Sequence, residues 1–135
     1  MSEVDTNCEG SEMDKSPGIF SWVELVTQDV EGSKKFYTEL LGWETKSTEM
    51  PGGMVYETYM NGNKPVAGMI KAPEANMPTA WMNYITVEDL DATIEKAQAL
   101  GAHLCVPAMD IPDMGRFAGI ADPQGGFVCF WEFTK

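Results

Sequence analysis

The chain has 135 residues, enough for one domain or two very small halves, and at 44% hydrophobic and 22% charged it has the composition of an ordinary soluble globular protein. Nine Lys and Arg against 21 Asp and Glu give a formal net charge of −12. Binding to phosphate backbones or anionic lipid requires cations that displace counterions, so nucleic acid and membrane surfaces are excluded as expected partners.

No uncharged stretch approaches the roughly 18–20 apolar residues of a bilayer span, and the opening MSEVDTNCEGSEMDKSPG lacks the basic and apolar regions of a signal peptide. A cytoplasmic location is the expectation. Cys8, Cys105 and Cys129 show no CxxC spacing, which predicts reduced thiols rather than disulfides or a zinc knuckle. Residues 1–16 hold five carboxylates against Lys15, a net of −4 that leaves −8 on the remainder. With almost nothing apolar to bury, this segment is expected to be a flexible acidic arm.

The run from Ile19 to Val26 alternates as a strand, with Phe20, Trp22, Glu24 and Val26 on one face and Ile19, Val23 and Leu25 on the other. Asp29 then offers an N-cap, and Val30, Ser33, Phe36, Tyr37, Leu40 and Leu41 recur at helical spacing until Gly42 stops the helix. Strands are predicted over Trp43–Thr48, Val55–Met60 and Pro65–Lys71, separated by Pro51-Gly52-Gly53 and the hairpin signal Asn61-Gly62-Asn63. The second half repeats this order. Ala80–Val87 reads as a strand, Asp89–Leu100 as a helix stopped by Gly101, and Ala102–Pro107, Gly115–Ala121 and Phe127–Phe133 as strands. Asp29 matches Asp89 and Gly42 matches Gly101 at an offset of about 60 residues, the mark of a duplicated β-α-β-β-β unit.

The segment from Trp22 through Asp29, Ser33 and Phe36-Tyr37 to Leu40-Leu41-Gly42-Trp43 resembles the vicinal oxygen chelate superfamily, which contains glyoxalases, bleomycin resistance proteins and extradiol dioxygenases. Val87-Glu88-Asp89-Leu90-Asp91-Ala92, Ala99-Leu100-Gly101-Ala102 and the turn Asp122-Pro123-Gln124-Gly125-Gly126 extend the resemblance to the second half. It implies an α+β fold in which paired βαβββ modules, about residues 18–72 and 78–135 of a domain over 17–135, form a curved mixed sheet with a central cup. It also implies a homodimer.

Enzymes of that superfamily hold a divalent metal in the cup through His, Gln or Glu. The corresponding positions here fall on Trp22, Met82 and Cys129, with Met69 the nearest match in the first module's last strand. An indole has no lone pair to give and a thioether binds hard divalent ions poorly, so neither metal nor cofactor is expected. His103, the single histidine, reads as an edge or surface imidazole.

What remains is a prospective cup lined by Trp22, Glu24, Met69, Met82, Tyr84, Cys129 and Trp131, which suits a neutral or cationic, partly aromatic small molecule. The same residues could equally fill a core. Glu24 is the candidate catalytic group: beside Trp22 it must find a hydrogen-bond partner, hold its proton more tightly or meet a ligand, unless a one-residue shift turns it to solvent. Cys129 in apolar surroundings reads as a small hydrophobe. Arg116, the only arginine, is expected either to pair with Asp110 or Asp113 or to meet a ligand carboxylate. Two alternatives remain for function. One is a metal-dependent lyase, isomerase or dioxygenase with unconventional ligands such as Glu24 and Glu132; the other is a drug-sequestering resistance protein.

Overall fold

A computed structural model describes residues 14–50, 53 and 55–135. Most of the expected acidic arm, Cys8 and Pro51-Gly52 lie outside the described residues. The elements run β1 (Phe20–Thr27), α1 (Val30–Leu41), β2 (Glu44–Glu49), β3 (Val55–Asn61), β4 (Lys64–Lys71), β5 (Ala80–Thr86), α2 (Leu90–Ala99), β6 (His103–Ile111), β7 (Gly115–Ala121) and β8 (Phe127–Phe133). This is the α+β, twice-repeated βαβββ order expected from the sequence.

The chain divides into two compact units, one containing Trp22–Trp81 and the other Asp14–Ser21 with Met82–Lys135. Residues 14–21 join the second unit through backbone bonds. The Gly18 N–H donates to the Thr86 carbonyl at 2.7 Å, and the Thr86 N–H donates to the Ile19 carbonyl at 2.9 Å. The Lys15 ammonium also lies over the Phe133 ring, 5.0 Å from its centroid.

In the first unit the strand order is β2-β3-β4-β1, antiparallel except where β4 meets β1. The parallel pairing follows from the crossover through α1 and two further strands, since only antiparallel neighbours can be joined by a tight turn. Asp29 caps α1 by accepting from the Gly32 N–H at 2.9 Å. The helix ends at Gly42, whose φ of 74° suits a residue without Cβ and whose N–H donates to the Thr38 carbonyl. Val30 and Tyr37 of this helix pack on a buried cluster of Leu25, Tyr59, Ala67 and Met69.

The second unit repeats the plan. Its order is β5-β8-β7-β6, with β5 and β8 parallel and the other pairs antiparallel. Asp89 caps α2 by accepting from the Ala92 N–H at 3.1 Å, and Leu90, Ala118 and Ile120 are buried. β6 differs from expectation by running past Pro107 to Ile111. A proline inside a central strand would delete a ladder bond, but β6 is the last strand of its unit, and the register shifts between Val106 and Met109 around the ring. No helix among the described residues is long and apolar enough to cross a membrane.

Candidate functional site

Strand register decides which expected site residues share a face. Glu24 of β1 is paired with Gly68 of β4, and Gly68 is paired with Thr58 of β3. Two-residue alternation puts Trp22 beside Glu24, and Val23 with Leu25 on the opposite face, where α1 packs. Trp22 and Glu24 therefore occupy the face away from the helix.

Met69 does not join them. It pairs with Leu25 and Glu57, is fully buried in the cluster under α1, and its sulfur accepts from the Tyr59 hydroxyl at 3.3 Å. The residue beside Glu24 is Gly68, one position earlier. Met69 consequently fills core rather than lining the Glu24 face.

Tyr56, which sequence reasoning passed over, completes the arrangement. The Trp22 indole N–H donates to the Tyr56 hydroxyl at 2.8 Å, and that hydroxyl donates to the Glu24 carboxylate. Burial, followed by the nearby negative charge of Glu24, makes the phenol harder to ionise than an ordinary tyrosine. Glu24 itself is only 6% exposed. Gly68 is required here because a Cβ at that position would fall on the Tyr56 hydroxyl and ring. A glycine opposite a strand carboxylate, with an aromatic one strand further on, was the available sequence signal.

The second unit carries the counterpart face. Tyr84 pairs with Cys129, Cys129 with Gly119, and Trp131 with Phe117, so these side chains stand on one side together with Met82 by alternation. The Tyr84 and Phe117 rings meet edge to face with centroids 6.3 Å apart. Tyr84 and Cys129 are buried, whereas Met82 and Trp131 are half-buried. Glu132 points the other way, toward α2, and its Oε1 accepts from the Leu90 N–H at 2.7 Å.

Arg116 also lies on the α2 side. It donates to Asp110 at 2.9 Å and to both carboxylate oxygens of Asp91, at 3.1 and 3.2 Å, and Asp91 first among these holds its guanidinium even more firmly charged than usual. Asp91, rather than Asp113, is its second partner. The β6–β7 turn beside it borders a cleft of about 320 Å³ that also takes in Glu132 and Phe133. His103 is exposed on β6.

The donor chemistry does not fit a hard divalent ion. The positions matching the superfamily's ligands hold an indole, a thioether, a thiol and either Gly68 or the core thioether Met69. Among the described residues no three His, Cys, Asp or Glu side chains gather into a metal-holding group. Glu24 is bonded to Tyr56, and Glu132 is engaged at the start of α2.

Comparison with known proteins agrees with this architecture. The glyoxylase-named CFP32 of Mycobacterium bovis is 39% identical over 122 residues, covering 87% of this chain and 47% of that protein. The anthracycline biosynthesis protein DnrV of Streptomyces peucetius is 31% identical over 131 residues, covering 87% of this chain and 48% of its own length. The chain thus spans about half the length of these curated relatives. Among solved structures, methylmalonyl-CoA epimerase from Mycobacterium tuberculosis superposes with a TM-score of 0.58 at 14% identity, covering 93% of this chain and 95% of the other, a likeness of fold. The model for the Glyoxalase/Bleomycin resistance protein/Dioxygenase superfamily matches residues 19–130, and the chain belongs to that superfamily.

Proposed function

We propose that this chain binds a small, neutral or cationic, partly aromatic organic molecule, without a metal ion, on the strand face that carries Trp22 and Glu24. The observation that carries this reading is the Trp22–Tyr56–Glu24 chain of hydrogen bonds, which sets a buried carboxylate beside a half-exposed indole. A carboxylate oriented by a phenol recognises an amine or hydroxyl, and the indole face supplies stacking area for a flat ring. The formal charge of −12 draws cations toward the protein and disfavours anionic substrates, for which one arginine, already paired with two aspartates, offers little. Within the second unit, Tyr84, Cys129, Trp131 and Met82 share a face of similar aromatic and sulfur chemistry.

DnrV is named for anthracycline biosynthesis, which makes a cationic anthracycline a suitable probe. Calorimetric titration should show saturable binding of that probe, weakened by Glu24→Gln and by Trp22→Ala, and no binding of an anionic glutathione thioester. Metal analysis of protein purified without an affinity tag should find no stoichiometric divalent ion. Preference for the anionic thioester, or one tightly held divalent ion per chain, would sink the reading.

A further inference from the structure

We propose that Lys46 selects the ligand of the Trp22 and Glu24 face, so that the preferred molecule is a flat, fused-ring zwitterion whose ammonium end meets Glu24 and whose carboxylate end meets Lys46. This rests on the reading of that face as a ligand site and narrows its ligands to one chemical class. Strand register carries it. Glu24 of β1 pairs with Gly68 of β4, Gly68 with Thr58 of β3, and Thr58 with Lys46 of β2. Directly paired residues send their side chains to the same side of a sheet, so Lys46, Thr58 and Glu24 share one face of the first unit in a single cross-strand row.

The row sets a length. Three interstrand spacings separate Glu24 from Lys46, about 14 Å between Cα atoms, and the two side chains reaching toward each other shorten this to the span of a fused-ring system. Tyr56 supplies the floor between the charges. Its ring lies where a Gly68 side chain would project, and its hydroxyl holds the Trp22 indole alongside. Two aromatic side chains so placed suit a flat ring. The half-buried Thr58 hydroxyl, next to Lys46 in the row, has no hydrogen-bond partner among the described residues and can take a polar substituent.

Charge identifies the class of ligand. Of the other described lysines in this unit, Lys34 and Lys35 lie on α1, Lys71 pairs with Thr27 and donates to the Gln28 carbonyl, and Lys64 pairs with Asn61 at the β3–β4 turn. Lys46 is exposed and has neither an ion pair nor a hydrogen bond with any described residue, so its ammonium is open to a ligand. In a chain of formal charge −12, a simple anion is repelled before it reaches that ammonium. A carboxylate is admitted on a molecule that also carries a cation for Glu24, and a zwitterion meets both conditions. A lysine on the edge strand β2 also guards against pairing with other chains, but that role alone creates no preference among ligands.

Calorimetric titration of the full chain with two probes tests this: naphthalene bearing an aminomethyl group on one ring, and the same compound with a carboxylate at the far end of the other ring. The wild type should bind the zwitterion at least about threefold more tightly than the simple cation, the scale of an exposed charge pair. Lys46→Gln should abolish that preference and Lys46→Glu should reverse it. Lys64→Gln, the same loss of charge at the turn, should keep it, and Glu24→Gln should weaken both probes. Equal affinity for the two probes, or a preference that survives in Lys46→Gln, overturns the role of Lys46 while the ligand reading of the face stands. Loss of the preference in Lys64→Gln as well would make it an effect of net charge and also overturns the proposal. Failure of both probes to bind, or binding indifferent to Glu24→Gln, overturns the reading of the face and this proposal with it.

Discussion

Glu24 and Gly68 are direct neighbours in the parallel β1–β4 ladder, and the missing side chain of the glycine is what lets the Tyr56 hydroxyl reach the carboxylate. Gly68→Ala forces the Tyr56 ring aside, because the new methyl would occupy the position of its hydroxyl. The expected cost is about 1–3 kcal/mol from overpacking. Combined with Tyr56→Phe, the loss should be less than additive, since both changes break the same contact. Urea denaturation of the four proteins in the cycle measures it; strict additivity would mean that Tyr56 does not depend on Gly68.

Tyr56→Phe on its own removes the donor to Glu24 and the acceptor of the Trp22 N–H. Leaving a buried charged acceptor short of a partner costs more than an average hydrogen bond, about 1–3 kcal/mol or above. Tyr56→Phe with Glu24→Leu should recover part of that loss, because the apolar pair no longer strands a carboxylate in the interior. Equal stability of the single and double variants would argue against a bond between these two groups.

The same phenols predict a loss of stability in alkali. Burial raises Tyr56 above the ordinary tyrosine range and pushes Tyr59 up to about 12. A raised folded-state pKa means that above about pH 10 the unfolded chain gives up protons that the native state retains. Stability is therefore fully present below pH 10 and falls as pH rises from about 10 toward the folded values, by up to about 1.4 kcal/mol per pH unit for each tyrosine. Denaturation midpoints across that window should fall, and Tyr59→Phe should flatten the curve. A flat wild-type profile would show that neither phenol is protected.

Much of this arrangement was legible from local pattern. The alternation of Trp22, Val23, Glu24 and Leu25 correctly divided β1 between two faces, and Asp29 with Gly42 and Asp89 with Gly101 marked both helices because caps act through bonds only a few residues apart. Met69 and Tyr56 were not legible in the same way. Their faces depend on the register of β3 and β4 against β1, a contact across more than 30 residues, and a one-residue slip exchanges Gly68 for Met69. Pro107 misled for the opposite reason. A local breaker signal was overridden by position, since an edge strand with shifted register has no ladder bond to lose there.

Glu132 and Arg116 sit opposite each other on β8 and β7 but should behave differently when removed. Glu132 accepts from the first N–H of α2 in a part-buried setting, so Glu132→Ala should cost about 0.5–2 kcal/mol, as for loss of a helix cap. Arg116 pairs with two aspartates that are both largely exposed, so water screens the pairs and Arg116→Met should cost less than Glu132→Ala, and less still at high salt. Thermal denaturation at low and high salt separates the two, and a larger loss for Arg116→Met would reverse this ranking.

Thr86 offers a gain rather than a loss. Its side chain is 2% exposed, both of its backbone polar groups are bonded to residues 18 and 19, and its hydroxyl has no hydrogen-bond partner among the described residues. A buried hydroxyl without a partner costs about 1–3 kcal/mol relative to an apolar group of the same shape. Valine matches threonine in volume and in its preference for strands, so Thr86→Val leaves the packing intact while removing the unsatisfied oxygen. The variant should be more stable by about 1 kcal/mol, read as a higher urea midpoint with an unchanged slope. Thr86→Ser, which keeps the hydroxyl and loses the methyl, should be less stable than the wild type. A destabilised Thr86→Val would instead mean that an internal water satisfies the hydroxyl, since such a water loses its own bond when the oxygen is removed.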